Sequence, residues 1–370
     1  MHASHAGVAQ AASCHVRRRL ALAAATLHIR HLVSCPFRRR WRRSAFEALA
    51  YTVSGARTIY GIDMNAPTQS HDLQLRFLLP TAGVRGVAVC LDQTWQAMAE
   101  RTVYPPAAAE LLGEAAAAAA LFTGHAKVAG RLSVQLRSDG ALRTLFAECT
   151  SAGTLRGIAQ LNEAMPPPSR DLSMLGDDAL LAITIENPAV GSREPMRYQG
   201  LVSLEADNLG EAFEAYFRQS EQLPTRLLLA CDGSRAAGLL LQQLPSDHRP
   251  DAVLDDDGWD RVGALFDTLG SAELLALGPA DVVHRLFHQE APEVLGALQL
   301  RFACSCSRER VASMLVSIGA EEAHAAVEAG DGEARVRCEF CGQEYRFDGM
   351  DVETLLRTAA TQMPAALGIQ

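Results

Sequence analysis

Near its C-terminal end the chain places Cys304-Ser-Cys306 and, after 31 intervening residues, Cys338-Glu-Phe-Cys341-Gly342. Four thiols in two tight pairs suit a tetrahedral zinc site: thiolates bind Zn2+ at about 2.3 Å, and two close pairs from separate points of the chain complete the shell. Cys338-Glu-Phe-Cys341 followed by glycine reads as a zinc knuckle, because Gly342 tolerates the left-handed turn that brings backbone N–H groups toward sulfur. The one-residue spacing of Cys304 and Cys306 is less common, and needs an extended backbone that bends to aim both sulfurs at one ion. His324, between the pairs, and His284 and His288 upstream are also ligand types, but four cysteines already fill the shell, so these read as solvated or packed side chains. An inert structural clip and a redox-sensitive centre would share these same ligands.

The rest of the chain must position that cluster. Its 370 residues allow two or more domains, and 48% hydrophobic with 21% charged residues is ordinary for a globular protein. Cys14, Cys35, Cys90, Cys149 and Cys231 stand singly and read as small hydrophobes or tail residues. One cluster plus scattered cysteines is the pattern of a reduced compartment with one metal or redox site, and the chain is expected to be cytoplasmic. No window holds the roughly 18 to 20 uninterrupted apolar residues of a bilayer span, so no membrane partner is expected.

Charge is uneven. Residues 1–63 hold ten Arg against Glu47 and Asp63, a local +8, which leaves −17 for the remainder of a chain whose net charge is −9. Residues 1–69 are therefore read as an extension outside the folded body, disordered or an upstream mis-start, with the native product expected to begin at Met64. A targeting peptide shares the Arg richness but lacks an amphipathic period.

From 70 to 244 the pattern is strand-like with occasional helices. Residues 73–79 and 84–91 suit two strands joined as a hairpin through Thr81-Ala-Gly83. Pro105-Pro106 opens a helix of strong formers over 107–122, including six consecutive alanines at 115–120, with Gly124 as its stop. Residues 130–136, 141–149, 180–186, 198–204, 226–231 and 238–244 read as strands, and 209–222 as a helix closed by Pro224. Strands joined by turns, without steady βαβ alternation, make this an α+β domain.

Composition changes at Pro245, where a polar acidic stretch runs to Asp255-Asp-Asp-Gly258. Residues 245–300 read as a helical, conditionally folded linker, with amphipathic segments at 259–269, 272–277 and 280–289. Helices that short are marginal alone in water and depend on docking. Residues 301–360 form the small zinc-binding domain. Residues 301–350 carry six Arg against nine Asp and Glu, a net −3 that argues against a phosphate-facing surface and a nucleic-acid partner. A thioredoxin-like site is weak, since Cys338 does not open a helix after a buried strand. No nucleophile–base set, phosphate loop or paired carboxylates stands out, so the chain is not expected to be an enzyme.

Cys304-Ser-Cys306-Ser-Arg-Glu-Arg310 and Cys338-Glu-Phe-Cys341-Gly-Gln-Glu-Tyr-Arg-Phe resemble the zinc centre of the redox-regulated 33-kilodalton heat-shock chaperone family of bacteria. Arg197-Tyr-Gln-Gly200-Leu-Val and Ser220-Glu-Gln-Leu-Pro-Thr-Arg226 extend the likeness over about 70 to 360, with the N-terminal extension and Pro166-Pro-Pro168 as departures. The resemblance implies an ATP-independent holdase that prevents aggregation under oxidative stress. It implies Zn2+ on Cys304, Cys306, Cys338 and Cys341 when reduced, and disulfides Cys304 with Cys306 and Cys338 with Cys341 when oxidised. Zinc release would then undock the linker around Trp259, Leu265, Phe266, Leu286 and Phe287, exposing apolar surface to unfolded client proteins. A monomer when reduced and a homodimer when oxidised are likewise implied by the family. The alternative is a zinc-dependent regulatory or binding module fused to an α+β domain.

Overall fold

The centre of the computed structural model is a single helix that is buried almost all round. The structure describes residues 72–362 apart from 127, 177, 190–193 and 246–255, so the readings of 1–69, of Cys14 and Cys35, and of the acidic boundary up to Asp255 lie outside the described residues. The central helix, α2 (Pro106–His125), follows the short α1 (Gln93–Ala99) and buries Leu111, Leu112, the alanines 115–120, Leu121 and Phe122. A helix apolar on every side belongs inside a core, and alanine lets sheets approach it closely from both sides. Among the described residues it alone is long and apolar enough to cross a bilayer, yet 83% of that window is buried within the protein.

Two sheets enclose α2. The first contains β1 (Leu73–Leu79), β2 (Val84–Leu91), β8 (Thr225–Cys231), β9 (Ala236–Gln243) and β10 (Glu293–Gln299), in the order β10-β1-β2-β9-β8. The second contains β3 (Arg131–Arg137), β4 (Leu142–Thr150), β5 (Thr154–Leu161), β6 (Leu180–Asn187), β7 (Met196–Val202) and the two-residue β11 (Arg301–Phe302), in the order β11-β5-β4-β3-β6-β7. The expected hairpin is β1 and β2, paired antiparallel with Gly83 at φ 63° in the turn. Helix α3 (Leu209–Ser220) starts at Asn208, whose side chain accepts from Glu211 N–H, and buries Phe213, Tyr216 and Phe217. These elements give the α+β architecture read from the sequence.

Three local expectations differ. Gly124 does not stop α2, which runs one residue further; a Cβ at Gly124 would stand 2.7 Å from the Gln74 side chain, so the glycine answers a close approach instead of a helix end. Thr154–Leu161, unassigned from the sequence, is strand β5, which lies between β11 and β4. The stretch expected to be a helical linker is helical in α4 (Gly258–Phe266), α5 (Ser271–Ala276) and α6 (Pro279–Phe287), but then returns as β10, antiparallel to β1 with Leu73 opposite Gln299. Its Glu-Val-Leu-Gly-Ala-Leu-Gln alternation finds a free sheet edge more than two hundred positions away, which no local pattern reveals.

The first sheet is consequently covered on both faces. One face meets α2; on the other, Leu75, Phe77, Leu79, Val84, Ala88, Leu239 and Leu241 form a second core with Val262, Phe266, Leu274, Val282, Val283 and Phe287 of the three short helices. This explains why β9 is buried over Ala236–Gln242 with no alternation. The Pro-containing segment 166–168 is followed by Arg170, which pairs with Glu110 (2.6 Å) and with the buried Glu114 of α2.

A candidate metal centre

Two separate pieces of local structure deliver the cysteines. Cys304 follows β11, whose Arg301 and Phe302 lie parallel to Thr154 and Leu155 of β5. Cys306 directly precedes Ser307, the N-cap of α7 (Arg308–Ile318), where the Ser307 hydroxyl accepts from Arg310 N–H. The second pair sits on the turn of a hairpin formed by β12 (Glu333–Arg337) and β13 (Glu344–Asp348). There Cys338 N–H donates to Gln343 C=O (2.9 Å) and Gly342 N–H to Cys338 C=O (2.8 Å), with Gly342 at φ 73°. A knuckle with a left-handed glycine, as read from the sequence, is what closes this turn.

The four sulfurs converge. All lie within 4.8 Å of one another, with Cys304 Sγ 3.6 Å from Cys338 Sγ and Cys306 Sγ 3.3 Å from Cys341 Sγ. A tetrahedral ion with bonds of about 2.3 Å holds its sulfurs roughly 3.8 Å apart, so the arrangement fits Zn2+. Burial pushes the Cys304 thiol up and takes Cys341 up to about 12, each further affected by the neighbouring sulfurs. At Cys306 burial acts the same way, but hydrogen bonds from Tyr345 and the surrounding cysteines outweigh it and bring the thiol down to about 7. Four adjacent thiols resist joint ionisation unless a cation neutralises them.

Tyr345 has no role in the sequence reading, yet its hydroxyl donates to Cys306 Sγ at 3.1 Å. Orientation of a ligand from outside the coordination shell is a common determinant of affinity. His324 lies apart, 3.0 Å from Glu353, and His284 and His288 face each other on and just after α6, outside the cluster. Buried Cys90 and Cys149 are raised by desolvation to about 11 and 12, and Cys231 is raised by the same cause; such thiols are unreactive.

The module around the cluster has a small core of its own, Leu315, Ala323, Ala334, Phe347 and Val352, contributed by α7, α8 (Ala320–Ala329), the hairpin and α9 (Gly349–Gln362). Of the apolar side chains expected to be released with the linker, Phe266 (7% exposed) and Phe287 (0%) are buried on the first sheet, while Trp259, Leu265 and Leu286 pack partly buried against the same cluster.

The family model described as Hsp33 protein matches residues 72–348, from the first strand to the end of the cysteine-bearing hairpin. The chain belongs to the Hsp33 family. It is 41% identical over 295 residues to a 33 kDa chaperonin of Ectopseudomonas mendocina, covering 80% of this chain and 98% of that one. A 33 kDa chaperonin of Azotobacter vinelandii matches with the same identity and coverage, and one of Pseudomonas fluorescens is 39% identical over 294 residues, covering 80% and 96%. Among solved structures, the crystal structure of the 33 kDa chaperonin from Thermotoga maritima aligns with a TM-score of 0.62 at 21% identity, over 79% of this chain and 100% of that one. That likeness concerns the fold.

Proposed function

We propose that this Hsp33 chain is a redox-regulated, ATP-independent holdase whose activity is restrained while the four thiols are reduced. The observation that carries the reading is a conjunction. Cys304, Cys306, Cys338 and Cys341 share one cluster, and three helices of 9, 6 and 9 residues hold apolar side chains against one face of the first sheet.

Bound Zn2+ would neutralise four thiolates and contribute folding free energy to a module with only a small core. The chain's own chemistry then provides the switch. A cysteine thiolate attacks one oxygen of hydrogen peroxide, breaking the O–O bond and forming a sulfenic acid with release of hydroxide; a second thiolate displaces hydroxide from that sulfur to form a disulfide, and both hydroxides take up protons from solvent to become water. Each disulfide accounts for two electrons and consumes one peroxide. By analogy with the family, the pairs are Cys304 with Cys306 and Cys338 with Cys341. The sulfur contacts at 3.6 and 3.3 Å run between the two pairs, so adjacent pairing would dismantle the four-sulfur arrangement.

Loss of the ligand set destabilises α7, α8 and the hairpin, and the strain reaches the linker through β11 and β10. Undocking of α4 to α6 would present Trp259, Leu265, Phe266, Leu286 and Phe287 together with the sheet they cover, a surface suited to unfolded client proteins. The resemblance further implies a reduced monomer and an oxidised homodimer, and the cysteine pattern, the net charge of residues 301–350 and the hydropathy favour a cytoplasmic location without nucleic-acid or membrane partners. The test is a light-scattering assay of an unfolding client after treatment with peroxide and mild heat, with zinc content and free-thiol count measured on the same samples. Protection that appears together with zinc release and loss of four thiols supports the reading; zinc release without protection would leave the regulatory-module alternative.

A further inference from the structure

We propose that the outer face of β4 and β5 is a second client-binding surface, selective for an aromatic side chain preceded by an acidic residue, and that the chain's own Glu339-Phe340 occupies it in the reduced state. The inference rests on the holdase reading above, and concerns the opposite sheet from the linker helices.

Strand alternation points Leu145, Ala147 and Cys149 of β4 into the core, which leaves Thr144, Phe146 and Glu148 on the outer face. Register places Ile158 opposite Phe146, Arg156 opposite Glu148 and Gln160 opposite Thr144. An aromatic–aliphatic pair is therefore set between polar neighbours on a face that would otherwise meet water. The knuckle tip lies on it. The Phe340 ring meets Phe146 edge to face, with centroids 5.5 Å apart and planes at 73°. The Arg156 guanidinium stands 4.6 Å over Phe340 and 6.0 Å from Phe146, and its Nε holds Glu148 at 3.0 Å. Gln160 Nε2 donates to Glu339 Oε2 (2.7 Å), and Arg101 Nη1 donates to the Cys341 carbonyl (3.2 Å).

These contacts recognise three consecutive features: an acidic side chain, an aromatic ring and a backbone carbonyl. Any extended polypeptide can present the same series. Beside the seat an open cleft of about 420 Å³, lined by Arg101, Ile158, Gln160, Arg337 and Glu339 among others, leaves room for flanking residues. Both residues that fill the seat lie between Cys338 and Cys341, so their placement depends on the geometry those sulfurs hold. Oxidation of the centre would withdraw them and vacate the seat for a client segment with the same chemistry.

The test uses the full chain and a short fluorescein-labelled Gly/Ser peptide carrying one Glu-Phe pair, with Glu-Ala and Lys-Phe peptides as controls, read by fluorescence anisotropy. The Glu-Phe peptide is expected to bind oxidised protein and not reduced protein, and to bind reduced Phe340→Ala, whose four cysteines are intact. Phe146→Ala and Arg156→Lys, the latter keeping a cation opposite Glu148, should weaken binding about tenfold, the scale of one aromatic or cation–π contact. Phe146→Leu serves if the truncation does not fold. Equal binding to reduced and oxidised wild type, or unchanged binding by the Phe146 and Arg156 variants, overturns the inference. Client protection by the same oxidised samples is scored separately: protection without peptide binding removes the second surface and leaves the holdase reading, whereas no protection removes the holdase reading itself.

Discussion

Phe287 of α6 stacks on Phe77 of β1, ring centroids 6.0 Å apart and planes 26° from parallel, with both side chains fully buried. Behind Phe77 lies Gly86 of β2, where an added Cβ would fall 2.1 Å from the ring. The last docked helix is thus held by an aromatic contact whose inner partner fits a space that only glycine leaves. Helices of nine residues or fewer contribute little stability alone, so contacts of this kind decide whether the linker is folded.

Phe287→Ala should loosen the linker without touching a cysteine. Truncating a buried phenylalanine costs about 3 kcal/mol or more, which exceeds what short helices retain. Faster amide exchange across α4 to α6, and client protection by the reduced protein, are the expected readouts. Gly86→Ala should act in the same direction by displacing Phe77.

Removal of zinc under reducing conditions should unfold the C-terminal module while α2 and its two sheets persist. Five buried residues make a core too small to stand alone. Circular dichroism should show partial helix loss on chelation, reversed by added Zn2+; an unchanged spectrum would mean that the module holds itself. Gly342→Ala, strained at φ 73° by about 1 kcal/mol, should lower zinc affinity in the same measurement.

Tyr345→Phe deletes the hydrogen bond to Cys306 sulfur and little else. Support of this kind is worth roughly tenfold in metal affinity. Competition with a zinc-binding chromophore would read the change, and an identical competition curve for wild type and variant would remove Tyr345 from the centre.

Acid should weaken the core through His125. Burial, and then the adjacent Arg85 whose Nη2 lies 3.0 Å from His125 Nε2, hold this histidine down at about 4, against attraction from Glu221. The unfolded chain binds the proton at an ordinary histidine value near 6.5, so the contribution to stability is complete above that pH and is lost as pH falls toward 4. Between pH 7 and pH 5 the loss is about 2 kcal/mol. Urea denaturation of wild type and His125→Gln at the two pH values isolates it, since the variant lacks this part of the slope.

The cysteine centre was legible because its information is local: the spacing of Cys304 with Cys306, and of Cys338, Cys341 and Gly342, already encodes two turns that each aim a pair of sulfurs. Most strands and α2 were legible for a similar reason, since alternation and an all-apolar helix are short-range patterns. That 259–287 forms short helices in need of a partner also followed from their length and apolar spacing. What the sequence by itself determined, then, was the grouping of four cysteines, the α+β class and the run of short helices over 259–287. The tertiary structure alone decided that β10 returns to β1, that Phe77 is the ring Phe287 meets, that Tyr345 serves Cys306, and that Phe340 sits between Phe146 and Arg156. Each of these joins residues far apart in the chain or on different elements, and is chosen by burial and close packing in three dimensions, about which neighbouring residues carry no signal.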